Sequence, residues 1–164
     1  MSNSVQNIRS KIMLLKDVAI LRAQWKTQGQ KVVFTNGVFD ILHAGHVQSL
    51  MQAHDNGDRL IIGLNADVSV KRLKGESRPI INERDRALLL AALQFVDAVV
   101  LFEEDTPIVL IEKLLPDVLI KSADYNIENI VGAKEVIANG GEVKIMPFVK
   151  GLSSTNIIEK IKSS

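Results

Sequence analysis

Cysteine is absent from the 164-residue sequence. That excludes disulfides, thiolate nucleophiles and cysteine-based zinc sites, and it is compatible with a reducing cytoplasm. No apolar run approaches the roughly 18–20 residues of a membrane span. Residues 1–10, MSNSVQNIRS, lack the apolar core of a secretory signal. Charge of one sign is not in excess: the formal net charge is +1. No general pull toward nucleic acid or an anionic membrane is therefore expected, and any anion site must be local. Two common nucleotide fingerprints are also missing. There is no G-x-G-x-x-G after the first apolar run and no G-x-x-x-x-G-K-[ST] anywhere, which argues against a nicotinamide dehydrogenase and a P-loop kinase. Internal repeats, low-complexity tracts and a dividing linker are lacking too. What remains is 46% apolar and 24% charged residues, ordinary for a globular chain and enough for one domain with a real core. The expectation is a soluble cytoplasmic protein with no nucleic-acid or membrane partner.

Short apolar runs alternate with helical patterns. Residues 1–10 read as polar and loose, and 12–28 as a helix with Trp25 packed inside. Strands are expected at 32–35, 60–64, 98–102, 117–121 and 142–146. A helix is expected from the histidines to about 54, another from Asn82 to Phe95, and one after Asp105-Thr106-Pro107 that stops before Pro116. Further helices are expected over 129–139 and 154–162, the last capped by Ser153-Ser154-Thr155. Strictly alternating strands and helices predict an α/β fold, a single Rossmann-like, doubly wound parallel sheet.

The stretch 31–50, KVVFTNGVFDILHAGHVQSL, organises the rest. A strand breaks at Thr35-Asn36-Gly37, and Asp40, His43, Gly45 and His46 follow before a helical pattern starts. Ligands of open α/β sheets bind at the carboxyl ends of strands, and free N–H groups at a helix start attract anions. The histidines fit anion recognition, a structural pair, or half of a metal site. On the first reading they stabilise charge during phosphoryl transfer, and Gly45 lets a phosphate approach the backbone. Lys71, Arg72 and Lys74 are either a solvated basic face or a second wall reaching the same phosphates. Ser153, Ser154 and Thr155 cap a helix and offer a second anion site. Asp40 and Asp124 each follow a strand; either contacts a ligand hydroxyl or hydrated Mg²⁺, or orders a loop. Arg86 is a nucleotide contact or an ordinary helix residue.

The segment from Thr35 to His46, TNGVFDILHAGH, resembles the signature of the cytidylyltransferase-like nucleotidyltransferases, which carry His-x-Gly-His on a Rossmann-like sheet. Further segments resemble one branch, the heptose 1-phosphate adenylyltransferases. These are Asn65-Ala66-Asp67, Lys71-Arg72-Leu73-Lys74-Gly75, Arg78-Pro79, the run 102–107, Leu115-Pro116-Asp117, the run 139–142 and the run 153–158. The likeness covers about 30–162. It implies a nucleotidyltransferase domain at 30–164 behind an N-terminal tail and helix at 1–29. It also implies transfer of AMP from ATP, with Mg²⁺ held mainly through the triphosphate, to D-glycero-D-manno-heptose 1-phosphate. Many relatives carry a sugar kinase ahead of this domain; none precedes it here, which implies the stand-alone form. His43, His46 and Lys71 or Lys74 become the expected catalytic residues. Thr35, Asn36, Gly37, Val38, Phe39, Asp40, Gly45, Asn65, Arg86, Lys121, Asp124, Ser153, Ser154 and Thr155 become the expected nucleotide contacts. Small-molecule substrates and a homodimer or higher homo-oligomer are implied. Two other readings are a cytidylyltransferase acting on a polyol phosphate such as glycerol 3-phosphate, and a nucleotide-binding module without turnover.

Overall fold

Alternation along the strands sends side chains to two faces, and both faces are apolar. Val32 and Phe34 point one way and Val33 the other, each into its own buried cluster. Burial on both faces is the condition under which an all-parallel sheet forms. The computed structural model describes residues 3–122, 127–146 and 153–163. Its strands are β1 (Val32–Gly37), β2 (Arg59–Asn65), β3 (Ala98–Phe102), β4 (Val118–Ser122) and β5 (Glu142–Met146), in the order β3-β2-β1-β4-β5, all parallel. The helices are α1 (Asn3–Ser10), α2 (Leu15–Thr27), α3 (Ala44–His54), α4 (Asp67–Lys74), α5 (Glu83–Ala91), α6 (Ile108–Leu114), α7 (Ala133–Ala138) and α8 (Ser154–Lys162). Helices α2, α6 and α7 bury Val18, Trp25, Leu110, Ile111 and Val136 against one face. Helices α3 and α5 bury Leu50, Ala53, Ala87 and Leu90 against the other. The doubly wound parallel sheet expected from the sequence is thus the fold.

Several local expectations are corrected. Residues 3–10 are helical, not loose. The next helix starts at Leu15, not at residue 12. Residues 11–13 instead extend along the outer edge of β3, where Met13 N–H donates to the Val99 carbonyl and Val99 N–H to that of Lys11. Covering an edge strand outweighs three residues of helix. The helix expected over 129–139 shrinks to α7, because Gly132 turns the chain at φ 85° directly against Ile111. A Cβ on Gly132 would lie 2.5 Å from the Ile111 side chain. Among the described residues no helix is long and apolar enough to cross a membrane.

The chain winds from β1 through β2 to β3, then returns to lay β4 on the other side of β1. The switch point therefore falls at the carboxyl ends of β1 and β4, where such a sheet opens a crevice.

Candidate functional site

The loop leaving β1 carries the histidines, and its shape is unusual. Phe39 and Ile41 both have positive φ, 46° and 27°, a region that side chains rarely adopt. Gly37 makes room for this turn: a Cβ there would sit 3.0 Å from the Phe39 ring. The ring meets His46 edge-on, with centroids 5.3 Å apart. His43 is the N-cap of α3, its Nδ1 accepting the His46 backbone N–H at 3.3 Å. That bond fixes the neutral tautomer, leaving the proton on Nε2. The two imidazoles stack at 3.8 Å and 19°. Among the described residues, His43 Nε2 and His46 Nδ1 are buried without a hydrogen-bond partner. Such groups are costly unless a polar partner meets them.

Electrostatics sharpens the role of this pair. The His46 pKa is pushed down to about 4 by burial first, then by the charges of His43 and Lys74, against a small opposing pull from Asp40. Burial lowers that of His43 as well. The imidazoles are therefore neutral donors at pH 7. Stability carries the sign of this shift: His46 binds its proton more weakly folded than unfolded. Its contribution is complete above the ordinary value of 6.5 and is lost as pH falls through about 4. Discounted for the ring's partial solvent exposure, the loss should be about 1–2 kcal/mol. Urea midpoints at pH 7.5 and 4.5 should show it, and His46→Gln should flatten the difference. An equal fall in both proteins would contradict the low pKa.

The basic stretch lies on α4, which follows β2. Lys71 approaches Glu76 at 4.0 Å. Arg72 binds Asp105 at 2.8 Å and the Glu103 carbonyl. Lys74 is the member whose charge is felt at His46. On the other side of β1, Lys121 is the penultimate residue of β4 and donates to Asn36 Oδ1 at 2.7 Å. At the start of α8, Ser153 accepts the Asn156 N–H at 3.0 Å, and Ser154 Oγ donates to the Ile41 carbonyl at 3.4 Å. The last helix start is thereby brought against the histidine loop, with Thr155 exposed beside it. Gly45 is buried in the first turn of α3, and Thr35 is buried near the end of β1.

Three expected contacts serve the scaffold. Asp40, 2% exposed, accepts Arg78 Nε at 2.6 Å and the Ile80 and Ile81 N–H groups at 2.9 and 3.0 Å. Its carboxylate orders a loop and offers no free oxygen to a ligand or a metal. Arg86 is buried. It donates to the Ile81 and Val38 carbonyls and to Asp67 Oδ1 at 2.7 Å. Nε and both terminal nitrogens of this buried guanidinium thus join three segments and help fix the loop through the Val38 carbonyl. Asn65 donates its amide to Ser69 Oγ at 3.0 Å, which pins the turn into α4. Asp124 lies outside the described residues. Arg78 was missed as a site residue: its partner stands 38 positions away, and only the segment Arg78-Pro79 marked it.

Known proteins resemble this chain in sequence and in fold. The cytidylyltransferase-like family matches residues 34–160. The bifunctional protein HldE of Citrifermentans bemidjiense is 55% identical over 155 residues, covering 94% of this chain and 32% of that protein. That of Haemophilus influenzae strain PittEE is 57% identical over 148 residues, covering 90% and 30%. The chain spans about a third of the length of these curated relatives. Among solved structures, pantoate-beta-alanine ligase from Francisella tularensis superposes with TM-score 0.59 at 16% identity, over 92% of this chain and 76% of that one, a likeness of fold alone. The lipopolysaccharide core biosynthesis protein from Thermoplasma volcanium GSS1 superposes with TM-score 0.59 at 30% identity, over 74% of this chain and 98% of that one. With the family's pattern running from β1 into α8 and its histidines stacked at the switch point, the chain belongs to the cytidylyltransferase-like family.

Proposed function

We propose that the chain is a cytoplasmic adenylyltransferase that moves AMP from MgATP to D-glycero-D-manno-heptose 1-phosphate, giving ADP-heptose and pyrophosphate for lipopolysaccharide core synthesis. The observation that carries this reading is the stacked, neutral His43–His46 pair with two buried, unpartnered ring nitrogens at the end of β1. A nucleoside triphosphate supplies what those nitrogens lack. The likeness to HldE proteins and to a lipopolysaccharide core biosynthesis protein supports the choice of substrate.

An oxygen of the sugar phosphate attacks the α-phosphorus of ATP. A new P–O bond forms as the bond to the β-phosphate oxygen breaks, and its electron pair leaves with pyrophosphate. The attacking phosphate is already ionised at neutral pH, so no protein nucleophile or base is required. Catalysis then reduces to positioning and charge stabilisation. His43 donates from Nε2, and His46 donates beside it. Lys74, close enough to depress His46, neutralises the leaving side, while the start of α8 closes over the loop. Magnesium enters as part of MgATP, and Asp40 takes no part in holding it because both its oxygens are occupied.

The test pairs ATP or CTP with heptose 1-phosphate or glycerol 3-phosphate and follows pyrophosphate. Release should require ATP with the heptose phosphate. Turnover with CTP and glycerol 3-phosphate would replace this reading by a cytidylyltransferase. Tight ATP binding without release, for every acceptor, would replace it by a non-catalytic module.

A further inference from the structure

The histidines account for one side of the crevice only. Helix α3, which begins at them, packs on the face of the sheet that holds Val33 and Ile120. Phe34 and Leu119 belong to the opposite face. Two residues further along each strand, Asn36 and Lys121 take the same side as Phe34 and Leu119. They stand one residue beyond the Thr35–Ile120 pair that ends the β1–β4 ladder, joined by the 2.7 Å bond from Lys121 Nζ to Asn36 Oδ1. The switch crevice thus has neutral imidazoles on one face and an ammonium on the other. Lys74 and Lys121 also approach it from different neighbours of β1, the first after β2 and the second on β4.

We infer that Lys121 receives the phosphate of the acceptor sugar phosphate and aims it at the α-phosphorus from the face opposite the histidines. This assignment rests on the adenylyltransferase reading. In-line displacement puts the entering and leaving oxygens on opposite sides of phosphorus. With the triphosphate on the histidine and Lys74 side, the entering dianion needs its own cation across the crevice, and Lys121 stands there. An ammonium has three donors; among the described residues Lys121 donates to the Asn36 amide, which leaves two for phosphate oxygens. Asn36 is uncharged, so it orients the amine without neutralising it. Burial lowers the Lys121 pKa from its ordinary value, which a bound dianion would reverse. A lysine is a point charge, suited to a phosphate that must rotate into line.

The experiment separates the two substrates. In Lys121→Met, the KM for heptose 1-phosphate should rise about 10- to 100-fold, the loss of one or two charge-assisted hydrogen bonds. The Kd for a non-hydrolysable ATP analogue should stay within about threefold, and Lys121→Arg should recover part of the acceptor KM. The wild-type protein gives a readout that does not depend on folding of a variant. Acetylation of Lys121, followed by mass spectrometry, should be slowed by heptose 1-phosphate and not by the ATP analogue alone. Weakened analogue binding with an unchanged acceptor KM, or protection by the analogue alone, would overturn the assignment. A wild-type protein that releases no pyrophosphate from ATP and heptose 1-phosphate would instead sink the adenylyltransferase reading.

Discussion

Replacing His46 by alanine should lower pyrophosphate release by about 10²–10³-fold, the cost of removing one pre-aimed donor from a site where charge develops. His46 is the cleaner of the two histidines to probe. His43 also caps α3 through Nδ1, so its loss mixes a folding cost of about 1 kcal/mol with the chemistry. The His46 side chain meets its neighbours through the ring alone, with its centroid 3.8 Å from that of His43 and 5.3 Å from that of Phe39. Two substitutions divide its contributions. His46→Phe keeps an aromatic ring and removes the donor, so it should fold and remain as slow as alanine. His46→Asn restores an amide donor and should recover part of the rate. The wild-type ring titrates at about 4, so alanine should also make the fold less sensitive to acid between pH 6.5 and 4. A rate within threefold of wild type in folded His46→Ala protein would remove His46 from the catalytic assignment.

Neutral imidazoles need not weaken the site. A pair of cations stacked at this distance would repel each other, and the burial that lowers their pKa values would make them costlier still. Neutral donors are in place before substrate arrives. The triphosphate then brings negative charge that favours protonation of the same rings. Substrate binding should therefore be accompanied by a rise in their proton affinity, the direction opposite to that set by burial.

The sheet was legible because β1 to β4 hold short apolar runs buried on both faces, and β1, β2 and β4 end in polar or glycine residues at the crevice rim. The placing of the histidines at the first of those ends followed from strand, turn and helix signals within 20 residues. What was not legible is non-local. The path of residues 11–13 is set by the unpaired edge of β3, almost 90 positions away in the chain, and nothing in their own pattern announces it. Arg86 sits in a helix that the sequence does place, yet its guanidinium partners Val38, Asp67 and Ile81 lie in other segments. Spacing could not choose between Lys71 and Lys74, since three positions on a helix point nearly alike. Proximity to Glu76 and to His46 separates them.

Asp40→Asn should be the most destabilising conservative change in the site, at about 3–5 kcal/mol, because it strips the partner from a buried cation. Side-chain exposures of 13% for Arg78 and 1% for Asp40 put this pair out of water. The exposed pair Arg72–Asp105, at 50% and 66%, should matter little by comparison. Burial alone would raise the Asp40 pKa. The N–H groups of Ile81 and Ile80 and the Arg78 guanidinium more than offset it, so the net shift is downward from 3.8. Its stabilising effect is therefore complete at neutral pH and is lost only as pH falls below that value. An asparagine has one acceptor oxygen where three donors converge, and it turns an NH₂ toward one of them. The effect should reach the chemistry. Asp40 lies between Phe39 and Ile41, the two positive-φ residues of the loop, and each such conformation costs on the order of 1–3 kcal/mol that the surroundings must hold. Once the carboxylate no longer anchors residues 78–81, Phe39 is free to leave the His46 ring, and turnover should fall even in the folded fraction. A melting temperature lower by more than about 6 °C is expected for a chain of this size. Arg78→Met in the Asp40→Asn background should return part of that loss, since removing both partners leaves no unpaired charge. A double variant as unstable as the sum of the single ones would show that the ion pair is not what holds the loop.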